Sequence, residues 1–298
     1  MSRVHDALRR AEQSAPPVVD NRSDASIAAA MTATIVEHSQ PARVGSGLLS
    51  EVEEVPFNPA PGAHLISVTS DRLSDAPSEE FRTLRTRMNH LQSLQPIRTV
   101  LVTSASPGEG KSFTATNWAL AEAQLADNPT LLADFDFRRP VIHSHFDMNR
   151  TPGVTDYLQG KAELRDIIKR IAGMNLYVMS AGESVVNPLE LLNLARCKQL
   201  IEEVTKFFNW VIIDTPPLLL AADANLLGTY CHGILLVVRV GSTTIDSVTH
   251  AMQSLCENNV LGVVANCARR DELYGRYSYY HSYYYQTGSG ENETDDHR

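Results

Sequence analysis

Six nearly uninterrupted apolar runs constrain this chain more than any other feature: RTVLVTSA (98–105), TLLADFD (130–136), NLYVMSAG (175–182), WVIIDTPP (210–217), GILLVVRVG (233–241) and VLGVVANC (260–267). Runs with so little polar alternation suit strands buried on both faces of a parallel sheet. Between them lie helix-like stretches such as 112–124, 188–208 and 244–257, each long enough for a right-handed crossover. Strand alternating with helix predicts an α/β fold with a doubly wound, mostly parallel sheet.

The pattern fills residues 63–270, so a length of 298 residues reads as one domain between two tails. Residues 1–62 hold no aromatic before Phe57, and small polar residues dominate after Gln13. Such a segment cannot bury enough surface to offset its ordering entropy and is expected to be a flexible tail. Val4, Ala7, Leu8 and Ala11 fall on one helical face and allow a short amphipathic helix at its start. Residues 271–298 form the second tail, in which Tyr274, Tyr277, Tyr279, Tyr280, Tyr283, Tyr284 and Tyr285 crowd together before an acidic end. No sheet edge or core explains that clustering.

A net charge of −9 lacks the positive field of a phosphate-tracking nucleic-acid binder, so no nucleic-acid partner is expected. No stretch reaches the roughly 18 apolar residues of a membrane span. The start of the chain lacks a signal peptide's apolar core, and the four cysteines show no CxxC spacing. The expected location is the cytoplasm.

Chemistry concentrates at SASPGEGKS (104–112), which follows one predicted strand and opens one predicted helix. In that setting a glycine-rich string becomes a phosphate cradle. Gly108 and Gly110 permit close backbone approach, and free amides at the helix start point at anionic oxygens. Lys111 would reach the β- and γ-phosphates and Ser112 would ligate Mg²⁺. Ala105 stands where the usual GxxxxGK[ST] pattern has its first glycine. About twenty residues on, Asp134 and Asp136 end a second strand, two apart and so on one side of it. A third strand delivers Asp214 to the same edge, where open α/β sheets bind ligands. Three carboxylates converging on one phosphate loop read as Mg²⁺ ligation plus a base, because a hard cation takes oxygen ligands. Arg138 and Arg139 lie where they either steady phosphate charge or stay solvated at a helix start. His143 and His145 have no third nitrogen or sulfur ligand nearby in sequence and read as structural.

SASPGEGKS, LLADFDFRRP, WVIIDTPP, PGVTDYLQG, NPLELL and the tyrosine cluster together resemble the bacterial tyrosine kinases of exopolysaccharide and capsule systems, over roughly residues 75–285. The chain is similar to their free-standing cytoplasmic form. That resemblance implies a P-loop NTPase of the deviant-Walker (ParA/MinD-like) superfamily with disordered tails. It implies ATP and Mg²⁺ as cofactors, and an autokinase that phosphorylates its tyrosine cluster in trans and regulates polysaccharide synthesis or export. Carried onto this sequence, it places nucleotide binding on Pro107, Gly108, Glu109, Gly110, Lys111, Ser112 and Phe113, with Asn266 at the adenine. It places Mg²⁺ on Ser112, Asp136 and Asp214, and catalysis on Lys111, Asp134, Asp136 and Arg138, with Asp134 as the first candidate for the base. The seven tail tyrosines become phosphoacceptors. Glu79, Arg82 and Arg85, spaced three apart on one helical face, become contacts of a ring-like homo-oligomer; the plain alternative is an intrahelical ion pair. Implied partners are other copies of the chain, the cytoplasmic tail of a membrane polysaccharide co-polymerase adaptor, and a tyrosine phosphatase. The protein would then sit against the inner face of the membrane through that adaptor.

Two rival functions remain from the residues: a partitioning or positioning ATPase and a nucleotide-binding scaffold. The first usually carries a signature lysine in its phosphate loop, where this chain has Ser106.

Overall fold

The computed structural model describes residues 46–59, 65–66, 76–255 and 259–268. The tyrosine cluster and the amphipathic start of the chain lie outside the described residues. Eight strands form one sheet: β1 (Glu53–Val55), β2 (Thr99–Ser104), β3 (Thr130–Asp134), β4 (Ile168–Ile171), β5 (Leu176–Met179), β6 (Trp210–Asp214), β7 (Gly233–Arg239) and β8 (Val260–Asn266). Their order is β1-β4-β5-β3-β6-β2-β7-β8. The six strands from β5 to β8 in that order run parallel, and they are the six apolar runs. β4 pairs antiparallel with β5, and β1 runs parallel to β4.

The central strands bury both faces. Val100, Val102, Leu132, Ile212, Leu235 and Val237 enter one core, and Leu101, Leu131, Ala133, Val211, Ile213 and Leu236 enter the other. Successive residues alternate between the cores because strand side chains alternate between faces. Helix α1 (Ser46–Glu51) precedes β1. Helices α2 (Ala76–Leu94) and α3 (Lys111–Ala123) cover one face, burying Phe81, Met88 and Trp118 there. The opposite face takes α8 (Ala195–Val204) and α10 (Ile245–Ser254), which bury Cys197, Leu200, Ile201 and Ala251. Five short helices complete the set among the described residues: α4 (Ile142–His145), α5 (Val154–Leu158), α6 (Leu164–Ile167), α7 (Pro188–Leu192) and α9 (Asp223–Gly228). Among the described residues no helix is long and apolar enough to cross a membrane.

Two sequence expectations change. The ordered domain begins before residue 63, since α1 and β1 are formed and Glu53 pairs with Lys169 of β4, Oε2 to Nζ 2.6 Å. Phe57 follows that strand inward, its ring 6.2 Å from Phe146. The single helix expected over 188–208 is two helices, because Leu194 adopts extended backbone and caps the second.

Candidate active site

β2, β6 and β3 are consecutive in the sheet, so their carboxyl ends converge. Asp214 pairs in register with Asp134 on one side and with Val102 on the other. The chain leaves β2 as the phosphate loop, bends through Gly108 at φ 77° and Gly110 at φ 96°, and enters α3 at Lys111. Both angles lie in the left-handed region that glycine adopts without strain. Gly110 is the N-cap and has no side chain to occupy the leading amides of α3, which are left open as an anion site. The loop after β6 braces the cradle from below, with Leu218 donating its amide to Ser104 O at 2.9 Å.

Lys111 reaches back across this mouth. Its Nζ donates to Asp136 Oδ2 at 2.8 Å and to Ser112 Oγ at 3.1 Å, and stands 3.8 Å from Asp214 Oδ1. Burial works to lower the pKa of this ammonium, but Asp214, Asp136 and Asp134 outweigh it and raise it. Asp214 is wholly buried, and neither carboxylate oxygen has a hydrogen-bond partner among the described residues. Burial pushes it up to about 6, with Lys111 and then the Ser112 hydroxyl and Thr215 amide, close by but outside good hydrogen-bond geometry, pulling the other way. Asp134 is equally buried, but its oxygens accept the amides of Asp136, Val141 and Ile142 at 3.1, 3.2 and 3.1 Å. Burial, and then the neighbouring Asp214, hold its pKa well above the usual carboxylate range. Asp136 Oδ1 accepts the Arg139 amide at 2.9 Å. The structure therefore brings Lys111, Ser112, Asp134, Asp136 and Asp214 together as the sequence predicts. An orphaned, buried carboxylate beside a hydroxyl is a donor set that fits a hard divalent cation.

Four expected residues do something else. The Arg138 guanidinium forks onto buried Asp223, Nε to Oδ2 2.8 Å and Nη2 to Oδ1 3.1 Å, and so fastens the start of α9, with Asp136 still close enough to help raise its pKa. Asn266 is engaged at the loop backbone: its Nδ2 donates to Glu109 O at 2.9 Å and its Oδ1 accepts the Cys267 amide at 2.9 Å. That uses the polar ends expected at the adenine. Arg85 donates to Ala121 O at 2.8 Å and holds the end of α3 within the same protomer. Arg82 pairs with Glu79 at 3.3 Å, the intrahelical ion pair that was the plain alternative. Sequence reasoning missed Asp223, Arg239 and Thr243. The last two follow β7 at the ligand-binding edge of the sheet, and that position was the available signal.

Comparison with known proteins shows the family. The chain is 35% identical over 205 residues to tyrosine-protein kinase YwqD of Bacillus subtilis (strain 168), a match covering 68% of this chain and 86% of the relative. It is 34% identical over 221 residues to tyrosine-protein kinase CpsD of Streptococcus agalactiae, covering 72% and 95%. Tyrosine-protein kinase etk of Escherichia coli (strain K12) is 33% identical over 198 residues, and there the match spans only 27% of the relative's length. Among solved structures, the kinase domain of Escherichia coli tyrosine kinase ETK superposes with a TM-score of 0.63 at 32% identity, over 69% of this chain and 83% of that one. The chimerical protein CapA2B2 does so with 0.63 at 29%, over 67% and 88%. No protein-family model matches the chain.

Proposed function

The chain belongs to the bacterial tyrosine-protein kinases, and on that premise we propose that it transfers the γ-phosphoryl group of ATP to tyrosines of its own C-terminal cluster. The observation that carries this reading is the convergence of Lys111, Asp136 and the wholly buried Asp214 on an uncapped helix start. Phosphoryl transfer depends on positioning and charge stabilisation far more than on covalent chemistry from the protein. The loop amides and Lys111 bind the triphosphate, and Lys111 exchanges Asp136 for phosphate oxygens as it does so. Ser112 and Asp214, with Asp136, are the residues that would hold Mg²⁺, which supplies neutralising charge at the phosphates. Asp134, beside Asp214 at the carboxyl end of β3, is the first candidate to accept the proton of the attacking phenol. The phosphate bond to the leaving ADP breaks as the bond to the phenolic oxygen forms.

We take the cluster from Tyr274 to Tyr285 to be phosphorylated in trans, at a neighbour's site in a ring-like homo-oligomer. The Glu79–Arg82 pair, Glu79 exposed and Arg82 partly so, is the surface we assign to the subunit contact, whereas Arg85 serves the fold. The same reading assigns a membrane polysaccharide co-polymerase adaptor and a tyrosine phosphatase as partners, a cytoplasmic position against the membrane, and control of polysaccharide synthesis or export as the output.

Intact-mass spectrometry of the full chain incubated with Mg-ATP tests it. Several 80-dalton additions are expected, and deleting residues 274–285 should remove nearly all of them; phosphate that survives the deletion overturns the acceptor assignment. In the same assay Asp134→Asn should lower turnover with nucleotide binding kept. If Asp136→Asn alone shows that pattern, the two aspartates exchange roles.

A further inference from the structure

The phosphate loop is gripped from the side opposite the carboxylates. Glu109, at the centre of the loop, is 4% exposed, and both of its carboxylate oxygens are engaged. Oε2 accepts the Ser106 amide at 2.8 Å and Oε1 accepts the hydroxyl of Thr243. Thr243 is itself fixed: its Oγ accepts the Arg239 amide at 2.8 Å, and its amide donates to Arg239 O at 2.9 Å. Asn266 holds the Glu109 carbonyl, and the Val240 amide donates to Asn266 O at 2.9 Å, tying the ends of β7 and β8 together. Arg239 Nη1 adds a donor to Gly108 O at 3.3 Å. A Cβ on Gly110 would collide with Asn266 Nδ2, so a glycine there lets the loop lie against this asparagine.

We propose that Thr243 and Asn266 are positioning residues of the kinase, which act through Glu109 on the shape of the phosphate loop and so set nucleotide affinity. Neither needs to touch the nucleotide. Without the Thr243 hydroxyl, one oxygen of a buried carboxylate loses its donor, a penalty large for a charged group. Glu109 then escapes it by turning toward water at the cradle mouth, which brings negative charge to the place where phosphates bind. Loop shape acts on the bound ground state and on the transition state alike, so the defect falls on KM and leaves kcat nearly unchanged.

The inference rests on the ATP-dependent kinase reading, and the test separates the two. Binding of fluorescent ADP and GDP analogues, and the KM and kcat for ATP, are measured on the full chain for wild type, Thr243→Val, Thr243→Ser and Asn266→Asp. Thr243→Val should raise KM about tenfold, the order expected for one hydrogen bond to a charged group, with kcat kept and with rescue by Thr243→Ser. Asn266→Asp keeps the acceptor for Cys267 but loses the donor to Glu109, so it should weaken ADP and GDP analogues by the same factor. Wild type that binds neither analogue removes the kinase reading itself. Wild-type affinity in Thr243→Val, or failure of the serine to rescue, overturns the clamp. A selective loss of the ADP analogue in Asn266→Asp overturns it at that residue and returns Asn266 to the adenine.

Discussion

The two flanks of the phosphate loop are built on opposite principles. Toward β6 and β3, among the described residues, lie three buried aspartates against one lysine, with no hydrogen bond of good geometry on Asp214 and the pKa of both Asp134 and Asp214 raised. Toward β7 and β8 the polar groups of Glu109, Thr243 and Asn266 are each met by a named donor or acceptor. An excess of buried negative charge costs stability unless a cation balances it. The satisfied flank fixes geometry; the unsatisfied flank keeps affinity for a ligand that brings positive charge with it.

The largest effect should come from the one cation that spans the unsatisfied flank. Lys111→Met leaves three aspartates without their ammonium and the phosphates without their charge. Phosphoryl transfer should fall by 10²–10³ or more, the order seen when a preorganised charge or donor at a transition state is removed. Time-resolved intact mass in Mg-ATP measures it. Transfer within about tenfold of wild type would mean that the flank is structural, and the contrast between the two sides would collapse.

Asp214→Asn sharpens the contrast by separating affinity from stability. A neutral amide removes the burial cost that raises Asp214, so the nucleotide-free fold should melt no lower than wild type. Mg²⁺-dependent nucleotide binding should weaken roughly 10- to 100-fold, as changes around a metal's ligands do. Titration of the fluorescent ADP analogue with and without Mg²⁺, beside thermal melts, reads both. A lower melting temperature with unchanged binding would place Asp214 in the framework.

How much of this was legible follows from where each signal resides. The six parallel strands are apolar on both faces, and that composition survives in the sequence as runs. β1 reads EEV and β4 reads IKRI, the edge strand and its neighbour, both too short and too polar to show a period. Lys111, Asp134, Asp136 and Asp214 could be named in advance because strand ends deliver them to one edge. Their separate environments could not, since the three amides on Asp134 come from residues two, seven and eight positions later in a loop of no fixed pattern. Arg138 and Asn266 show the same limit. Their residue types suit phosphate and adenine, yet Asp223, 85 positions along, and Glu109, 157 positions back, are the partners that engage them.

The smallest effect on activity, and a control for the comparison, lies at Glu122 near the end of α3. It too is wholly buried with a raised pKa, about 7, caused first by burial. Unlike Asp214 it is fully met: Trp118 Nε1 donates to Oε1 at 2.9 Å, and Asn89 and Asn128 donate to Oε2 at 3.0 and 2.9 Å. Since the folded pKa exceeds the ordinary 4.5, the native state holds its proton more tightly than the unfolded chain. Its contribution is therefore complete below about pH 4.5 and declines as pH rises through about 7. Glu122→Gln removes the titration, so the part of the melting-temperature profile that falls across this window should flatten. The plateau should also drop, because one amide oxygen cannot accept at both positions and a donor is left facing a donor, at roughly 1–3 kcal/mol. Melts at half-unit pH steps, with kinase assays at pH 7.5, distinguish the two kinds of raised carboxyl. A profile unchanged in slope would show that Glu122 does not titrate in that window. A large loss of turnover with a flat profile would make Glu122 part of the catalytic flank and erase the line drawn between charge held for a ligand and charge held for the fold.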